Sequence, residues 1–484
     1  MRIKINIALY FLLWGFAACT AHKKLINTPP AVNTEIKEKV KAAAENNIEQ
    51  FAATYLLSDS NLLSAHVGIS VYDAGAKKYL YNYQGNKYFI PASNTKLLTC
   101  YAAMKYLGDS LAGLRYEMKE DNQLYIQATG DPTFLHPDFE NQPVFNFLKN
   151  AKQNINVVPP KWREKPLGFG WAWDDYNDDY MAERSEFPIY GNVAKFSAKN
   201  DTIEVMPNYF YSKNYGINVK DNEHFKNHPK EINNIAITRD VDKNFFQWKT
   251  VKSKFSSAEI PFKTNASPFP PSSFNEIKTL AYYVPYSILE DTLKKMFEYS
   301  LWIDRSYLLP NIIHSQPTDS LLKITMHRSD NFFAEQTLLM VSNERLGLMS
   351  DEKIIDTLLQ TDYKLMPQKP KWVDGSGLSR YNLISPQDFI FLLEKMKNDF
   401  AWNRITTILP TGDEGTLKGL YKNYAGKIYA KTGTVSNNLA LSGYIITNKN
   451  KQLIFSVMVN NHQASATAIR KSIERFITAI IENY

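Results

Sequence analysis

Strand-like runs stand at both ends of this chain, and the way they can pair limits the folds that it can adopt. Two runs near the N-terminus, 66–72 and 78–83, flank a turn at 73–75 and together predict a β-hairpin. Three more runs and an amphipathic helix stand near the C-terminus: 426–434, 439–447, 452–460 and 464–482. The five runs can form one antiparallel sheet with helices from both ends packed on it. That arrangement requires chain termini that lie close together and a large middle section inserted into the domain that the two ends form.

The composition excludes several classes of protein. The 484 residues exceed what one hydrophobic core usually organises, and 44% hydrophobic with 22% charged residues exclude a disordered chain. The net charge of +7 is spread along the chain and indicates a basic soluble surface rather than a nucleic-acid groove. Two cysteines exclude a disulfide scaffold, and no zinc-type spacing occurs. Cys100 lies in the apolar stretch 97–104 and is predicted to be a buried small hydrophobic residue.

The first residues indicate export. A basic start precedes the apolar run 5–16, which is too short to span a bilayer, so residues 1–18 are predicted to be a secretory signal peptide. The small residues before Cys19 resemble a lipoprotein processing site, which implies a lipid attached to Cys19 and a periplasmic protein anchored to a membrane. Cleavage without lipid stays open, because Phe16 is less usual three residues before such a cysteine. Residues 19–34 are predicted to be a polar tether.

The middle of the chain separates into two stretches. Residues 120–289 are rich in strand-like runs, Asn, Pro and aromatic residues, with little helical periodicity before a helix at 286–299. Residues 290–425 are helical in pattern. We therefore predict a main domain made from 35–119 and 290–484, interrupted by an inserted β-rich domain at 120–289.

Three short motifs carry candidate chemistry. Ser93-Asn94-Thr95-Lys96 fits SxxK, Ser329-Asp330-Asn331 fits SxN and Lys431-Thr432-Gly433 fits KTG, which together are the signature of active-site serine penicillin-interacting enzymes. The first two patterns also occur by chance, at 320–323, 350–353, 273–275 and 436–438. The order, the spacing and the local context of the three motifs distinguish them from these repeats. Their structural alternatives are two helix N-caps and a strand that ends in a turn.

The first motif predicts an activated nucleophile. Ser and Lys three residues apart lie on one face of a helix, roughly 5–6 Å between Cβ atoms, so the amine of Lys96 can reach the hydroxyl of Ser93. The helix macrodipole and a nearby Lys431 should both lower the pKa of Lys96, which leaves some neutral amine to accept the Ser93 proton.

The other two motifs predict groups that bind substrate. The backbone N–H groups of Ser93 and Thr434 can stabilise an oxyanion, and Gly433 lets a substrate backbone approach the strand edge. Thr432 and Lys431 can hold a terminal carboxylate. The SxN residues, Ser329 and Asn331, can move a proton and bind an amide, respectively.

This set resembles the D-alanyl-D-alanine carboxypeptidase/endopeptidase family, the class C low-molecular-mass penicillin-binding proteins (serine peptidase family S13). The resemblance extends from about residue 85 to residue 445 through six strings: GDPT 130–133, GWAWDD 170–175, SDNFFAE 329–335, DGSGLSR 374–380, GTL 415–417 and AKTGT 430–434. The 232 residues that separate Lys96 from Ser329 resemble this family's domain insertion. The polar Ser436-Asn437-Asn438 after the third motif departs from the family pattern.

The resemblance implies an α+β fold of the serine β-lactamase/transpeptidase type, with a five-stranded antiparallel sheet flanked by helices, a helical subdomain and the inserted domain. It implies a DD-peptidase that needs no cofactor or metal, acts on peptidoglycan stem peptides and is inhibited by β-lactams. The residues that it places in the site are Ser93 as nucleophile, Lys96 as base, Ser329 and Asn331 as the second-motif pair, Lys431, Thr432, Gly433 and Thr434 as the carboxylate and oxyanion strand, and Arg380, with Asp174 or Asp175, near the peptide side chain.

Two other classes of function stay open at this point. The same fold could serve a β-lactamase or esterase, although no glutamate motif for activating a deacylating water is evident. A non-catalytic lipoprotein could bind cell wall through the inserted domain. The balance between carboxypeptidase and endopeptidase action is not determined by the residues.

Overall fold

A computed structural model describes residues 47–265, 283–299 and 307–484. The predicted signal peptide, Cys19, the tether and residues 35–46 of the predicted main domain lie outside the described residues. In the described ranges, no helix combines the length and the apolar character that crossing a membrane requires.

The described elements alternate between short strands and helices. The strands are β1 (His66–Asp73), β2 (Lys78–Tyr83), β3 (Ser110–Lys119), β4 (Gln123–Ala128), β5 (Asn154–Val157), β6 (Val193–Lys199), β7 (Thr202–Met206), β8 (Ile235–Arg239), β9 (Phe246–Thr250), β10 (Ser257–Pro261), β11 (Phe297–Tyr299), β12 (Asn311–Pro317), β13 (Ile428–Val435), β14 (Asn438–Ile446) and β15 (Gln452–Asn460). The α-helices are α1 (Asn47–Ala52), α2 (Lys96–Tyr106), α3 (Pro143–Asn150), α4 (Val219–Asn227), α5 (Val284–Leu293), α6 (Thr318–Arg328), α7 (Asn331–Leu346), α8 (Asp351–Gln360), α9 (Pro386–Asp399), α10 (Trp402–Ile408) and α11 (Ala466–Asn483).

The two ends of the chain form one five-stranded sheet, as the sequence predicts. Its order is β13-β14-β15-β1-β2, and every neighbouring pair is antiparallel. In β14, alternate residues face opposite sides: Leu439 and Leu441 pack in the cluster that contains α1 and α11, whereas Ala440 and Tyr444 pack in the cluster that contains α2 and α9. Because both faces are covered, the central strands are apolar throughout. Strand β13 stands at one edge of the sheet.

Helix α2 is the centre of the helical layer. Every residue from Lys96 to Met104 is buried, so the apolar stripe predicted from the sequence is in fact a helix enclosed on all sides. Cys100 is buried as predicted, and burial raises the pKa of its thiol to about 12, which leaves it unreactive.

The remaining strands form separate sheets. One has the order β11-β5-β4-β3-β12, another β10-β6-β7, and β8 pairs with β9. The helix predicted at 286–299 ends early, because Lys294 takes a left-handed conformation with φ of 53°, and β11 follows. The short helices α3 and α4 were not expected, since eight or nine residues give too few turns for a clear periodicity.

Candidate active site

The nucleophile candidate lies in a tight turn before α2. Ala92–Thr95 form a 3₁₀ turn, and the α-helix begins at Lys96. The buried Asn94 donates from Nδ2 to Ser442 Oγ on β14 at 2.7 Å, which ties the turn to the sheet. Ser93 is half-buried and faces a cleft. The turn therefore holds the Ser93 hydroxyl where two layers of the fold meet.

Lys96 is the centre of a buried set of polar contacts. Its Nζ donates to Ser93 Oγ at 2.9 Å, to Asn331 Oδ1 at 2.6 Å and to the backbone oxygen of Ser376 at 2.8 Å. Since the three partners come from different parts of the sequence, this contact set brings the first and second motifs together with the loop at 374–380.

Burial brings the pKa of Lys96 closer to neutral pH. The removal of its amine from water lowers the pKa of Lys96 to about 8, and the carboxylates of Asp374, Glu335 and Asp330 oppose this shift. The predicted direction is confirmed. The largest cause is burial, however, and not the helix dipole and Lys431 that the sequence suggested.

The second motif lies at the junction of α6 and α7. Ser329 follows α6 in a left-handed conformation with φ of 63°, which costs a non-glycine residue about 1–2 kcal/mol. Asp330 caps α7 by accepting from the Phe333 N–H at 2.9 Å, as the N-cap alternative predicts. Asn331 also donates from Nδ2 to the backbone oxygen of Tyr180 at 3.1 Å. The cap and the cleft contacts are therefore compatible.

The third motif lies on the edge strand β13. Lys431 is fully buried, and its Nζ donates to Ser329 Oγ at 2.8 Å and to the Thr432 backbone oxygen at 2.7 Å. Burial, together with the positive charge of Lys96, lowers the pKa of Lys431 well below its usual value. Thr432 is half-buried, whereas Thr434 is exposed at the cleft.

Gly433 is required for the close approach of the strand to the nucleophile turn. A Cβ atom at this position would lie 2.5 Å from the Pro91 backbone oxygen and 3.2 Å from the Ser93 backbone nitrogen. The sequence suggested room for a substrate backbone. The structure adds that a side chain here would displace the turn that carries Ser93.

A cleft of about 430 Å³ opens beside these groups. It is lined by Ser93, Gly170, Ala172, Asp175, Tyr180, Ser329, Asn331, Gly377, Leu378, Arg380, Thr434, Val435 and Ser436. Arg380 is exposed at the rim and donates to the Ser436 backbone oxygen at 3.2 Å. Asp175 lines the cleft, whereas Asp174 is exposed and does not. The two lysines lie behind the wall rather than in it.

Two buried carboxylates that the sequence did not single out support the site. Asp374 accepts from the backbone N–H groups of Gly377 at 2.8 Å and Ser379 at 2.6 Å, which shapes the DGSGLS loop. Glu335 accepts from the Ser376 N–H at 2.7 Å and lies 3.5 Å from the buried Arg184. Both residues lie inside strings that resemble the family. The resemblance could therefore have pointed to them, but it does not indicate which groups they contact.

The chance repeats of the motifs have ordinary roles. Residues 320–323 lie within α6, and Ser350 caps α8 by accepting from the Lys353 N–H at 3.3 Å. Residues 436–438 form the turn between β13 and β14, and 273–275 lie outside the described residues.

Comparisons with known proteins agree on one family. The sequence model of the D-Ala-D-Ala carboxypeptidase 3 (S13) family matches residues 50–251 and 308–480. The D-alanyl-D-alanine carboxypeptidase of Actinomadura sp. (strain R39) is 24% identical over 456 residues, covering 85% of this chain and 80% of that protein. The carboxypeptidase DacB of Haemophilus influenzae is 22% identical over 443 residues, covering 82% of this chain and 86% of that protein. The crystal structure of penicillin binding protein 4 (DacB) from Haemophilus influenzae superposes with a TM-score of 0.62 at 17% identity, covering 89% of this chain and 97% of that one.

Proposed function

This chain belongs to the D-Ala-D-Ala carboxypeptidase 3 (S13) family, a family of serine DD-peptidases, and on that premise we propose that Ser93 is the nucleophile with which it cleaves peptidoglycan stem peptides after D-Ala. The observation that carries the assignment is the 2.9 Å contact between Lys96 Nζ and Ser93 Oγ inside a buried polar set. A neutral amine at that distance can accept the hydroxyl proton as the oxygen attacks.

Acylation follows from these positions. Ser93 Oγ attacks the carbonyl carbon of the penultimate D-Ala while its proton moves to Lys96 Nζ. The backbone N–H groups of Ser93 and Thr434 donate hydrogen bonds to the carbonyl oxygen and stabilise the negative charge that develops on it. Collapse of the tetrahedral intermediate breaks the peptide bond, releases the amine of the leaving residue and leaves an ester on Ser93. Water then hydrolyses the ester.

Ser329 and Lys431 serve the leaving group. The amine that departs must gain a proton, and the Ser329 hydroxyl can give its own while it is resupplied by protonated Lys431 Nζ, 2.8 Å away. When water attacks the ester, its proton returns through Ser329 to Lys431, and Lys96 gives the proton it holds back to Ser93 Oγ. Asn331 positions Lys96 through Oδ1 and can bind the substrate amide from its Nδ2 side. Gly433 lets the peptide lie along β13, and the hydroxyls of Thr432 and Thr434 are donors for the terminal carboxylate. Lys431 is buried behind the cleft wall and contacts Ser329. Arg380 and Asp175 border the region for the peptide side chain.

β-Lactams should acylate the same serine, because they resemble the substrate and leave slowly. Labelling with a fluorescent penicillin tests the assignment directly. Wild type should label and Ser93→Ala should not, whereas Ser320→Ala, which removes the exposed serine of the chance SxxK in α6, should label like wild type. Equal labelling of Ser93→Ala and wild type would refute the mechanism. Rapid release of hydrolysed β-lactam would favour a β-lactamase instead.

The same enzyme is proposed to act as a carboxypeptidase, an endopeptidase or both, since each reaction breaks a bond after D-Ala. Mass spectrometry of the products from purified cross-linked muropeptides separates them. Loss of one D-Ala from pentapeptide stems indicates carboxypeptidase action, and the appearance of monomers from dimers indicates endopeptidase action.

We also propose an inserted domain at 120–289. Its support is a separate apolar cluster that contains Phe196, Phe210 and Phe246, and the pairing of β3, which precedes this stretch, with β12, which follows it. Contacts from Tyr180 and Arg184 to α7 join it to the site.

Export and lipidation are proposed from the sequence of the leader. The mature chain would begin at Cys19, carry a lipid there and work in the periplasm. Mass spectrometry of the mature N-terminus should find a lipid-modified Cys19, and Cys19→Ala should release the protein from membranes. An unmodified N-terminus would indicate cleavage without an anchor.

A further inference from the structure

Arg470 lies outside all of the motifs. It is on α11 and contacts strand β13. It lies in the first turns of α11, and its Nη2 donates to Thr434 Oγ1 at 3.0 Å. The start of this helix is tied to the end of the strand by backbone contacts, since the His462 N–H donates to the Asn437 oxygen at 3.1 Å and Asn437 Nδ2 donates to the His462 oxygen at 3.0 Å. The contact is therefore part of a fixed junction.

Arg470 forms no ion pair with the residues that the structure describes. Glu474, one turn further along α11, instead accepts from the Tyr421 N–H. In the ranges that the structure describes, the arginines in ion pairs are Arg115, Arg184, Arg328, Arg404 and Arg475. Arg470 instead uses a hydroxyl, and its stem lines a cavity of about 10 Å³ with Ile473, too small for a ligand. A half-buried guanidinium whose partner is a neutral hydroxyl retains its attraction for an anion at the same place.

The hydroxyl of Thr434 connects Arg470 to the cleft. A threonine hydroxyl has one hydrogen to donate and two lone pairs to accept with. Since Arg470 occupies an acceptor site, the hydrogen of Thr434 stays available to another acceptor, and Thr434 is exposed and lines the cleft together with Ser93. A carboxylate oxygen there would accept that hydrogen.

Lys431 is less suited to hold the same anion. Its amine is fully buried and already donates to Ser329 and to the backbone, and burial beside Lys96 lowers its pKa. An arginine keeps its charge under all conditions in which the enzyme works. The guanidinium is therefore the more constant positive charge at this end of β13.

From this geometry we propose that Arg470 is a positioning residue that makes the enzyme select substrates with a free terminal carboxylate, by orienting the Thr434 hydroxyl and by adding positive charge beside it. This inference rests on the proposed DD-peptidase function and deepens it. The D-Ala-D-Ala substrates of the family carry such a carboxylate, so the inference adds the residue that enforces this preference. Neutral C-terminal amides should be poor substrates.

A pair of peptides tests the inference. The first is an N-acetylated peptide that ends in D-Ala-D-Ala with a free carboxylate, and the second is its C-terminal amide. Release of D-Ala or D-alaninamide is followed by mass spectrometry. In Arg470→Gln, kcat/KM for the free acid should fall by about ten- to a hundredfold, mostly through KM, because a carboxylate contact is made in both the ground and transition states. The loss on the amide should be about tenfold smaller, and Arg470→Lys should restore much of the preference.

The control removes a neighbouring charge from the same helix. Lys471 is exposed and follows Arg470 directly, so Lys471→Gln should keep the wild-type preference for the acid. Equal losses on acid and amide in Arg470→Gln, or an unchanged preference, would overturn the inference. Failure of the proposed function would show itself differently, as a wild-type protein that releases product from neither peptide and does not label at Ser93.

Discussion

The two sides of the cleft each contain a buried lysine, but in opposite electrostatic surroundings. Lys96, on the helical side, has the carboxylates of Asp374, Glu335 and Asp330 near enough to raise its pKa against burial. Lys431, on the strand side, has no such compensation, since burial and the charge of Lys96 both act in the same direction on its pKa. The comparison teaches that burial alone does not set the role of a lysine. Carboxylates near a buried lysine offset part of the lowering of its pKa that burial causes.

We infer that the helical side takes the proton of Ser93, whereas the strand side binds the substrate and resupplies Ser329. Lys96 contacts Ser93 directly, and in the proposed mechanism its neutral form is the active one. A pKa of about 8 leaves roughly a tenth of it neutral at pH 7. Lys431 contacts Ser329 and the backbone, and acts as a hydrogen-bond donor in either protonation state. Substitutions on each side should consequently differ in which step they affect.

The largest effect is expected for Lys96→Met. The change removes the base while the thioether fills similar space, so the acylation rate with a fluorescent penicillin should fall by about a thousandfold. The thermal midpoint should not fall, because a buried amine is replaced by an apolar group. Lys431→Met provides the comparison and should slow acylation much less. If the two substitutions slow acylation equally, the division of roles is wrong.

A smaller loss of acylation is expected from a substitution where β13 contacts the turn that carries Ser93. In Gly433→Ala the new methyl meets the backbone at Pro91, so the nucleophile turn must move, and acylation should fall by about a hundredfold. Stability should fall by about 1–3 kcal/mol in urea unfolding.

The matched control for that change is Gly443→Ala on β14. Its Cβ would lie 2.2 Å from the Tyr429 backbone oxygen, which is also a clash, but with a part of the sheet that does not carry the nucleophile. It should lower stability by a similar amount without a specific loss of acylation. Equal acylation losses in the two variants, measured per folded molecule, would show that Gly433 matters only for folding.

The smallest effect is expected for Glu335→Gln. Burial, followed by the charge of Asp374, raises the pKa of Glu335 to about 7, so it carries part of its charge at neutral pH. Its removal takes away one influence that raises the Lys96 pKa, and the rising limb of acylation against pH should move lower by roughly one unit or less. Glu344→Gln, on the same helix but paired with Arg115, should leave the limb in place. A shift to higher pH would contradict the account.

The parts of the fold with long periodic patterns were predictable from the sequence. Strands β14 and β15 and helix α7 are long, mostly apolar runs because they are buried on both sides, and their length made them recognisable. The predicted helix extended beyond the end of α5, because the left-handed residue that ends it, Lys294, is not a glycine and gives no sign of a helix end in the sequence. Short elements such as α3 depend on the contacts around them rather than on their own pattern.

The candidate site was predictable where a motif is contiguous. Ser93 and Lys96 are three residues apart, so helix geometry alone brings their side chains together. The positions of Glu335 and Asp374 behind Lys96 could not be predicted, because their contacts join segments that the fold, and not the sequence, brings together. Arg470 was missed for the same reason: its partner Thr434 is 36 residues away.

The central claim is that the neutral amine of Lys96 takes the proton of Ser93. The most direct test is the second-order rate of acylation by a β-lactam from pH 5 to pH 9.5, with a compound that does not titrate in this range. Since the active form is the deprotonated one and burial holds the Lys96 pKa at about 8, the rate should rise about tenfold per pH unit below pH 7 and level off above pH 8. A rate that is constant from pH 5 to pH 8, or that falls as the pH rises, would contradict the account.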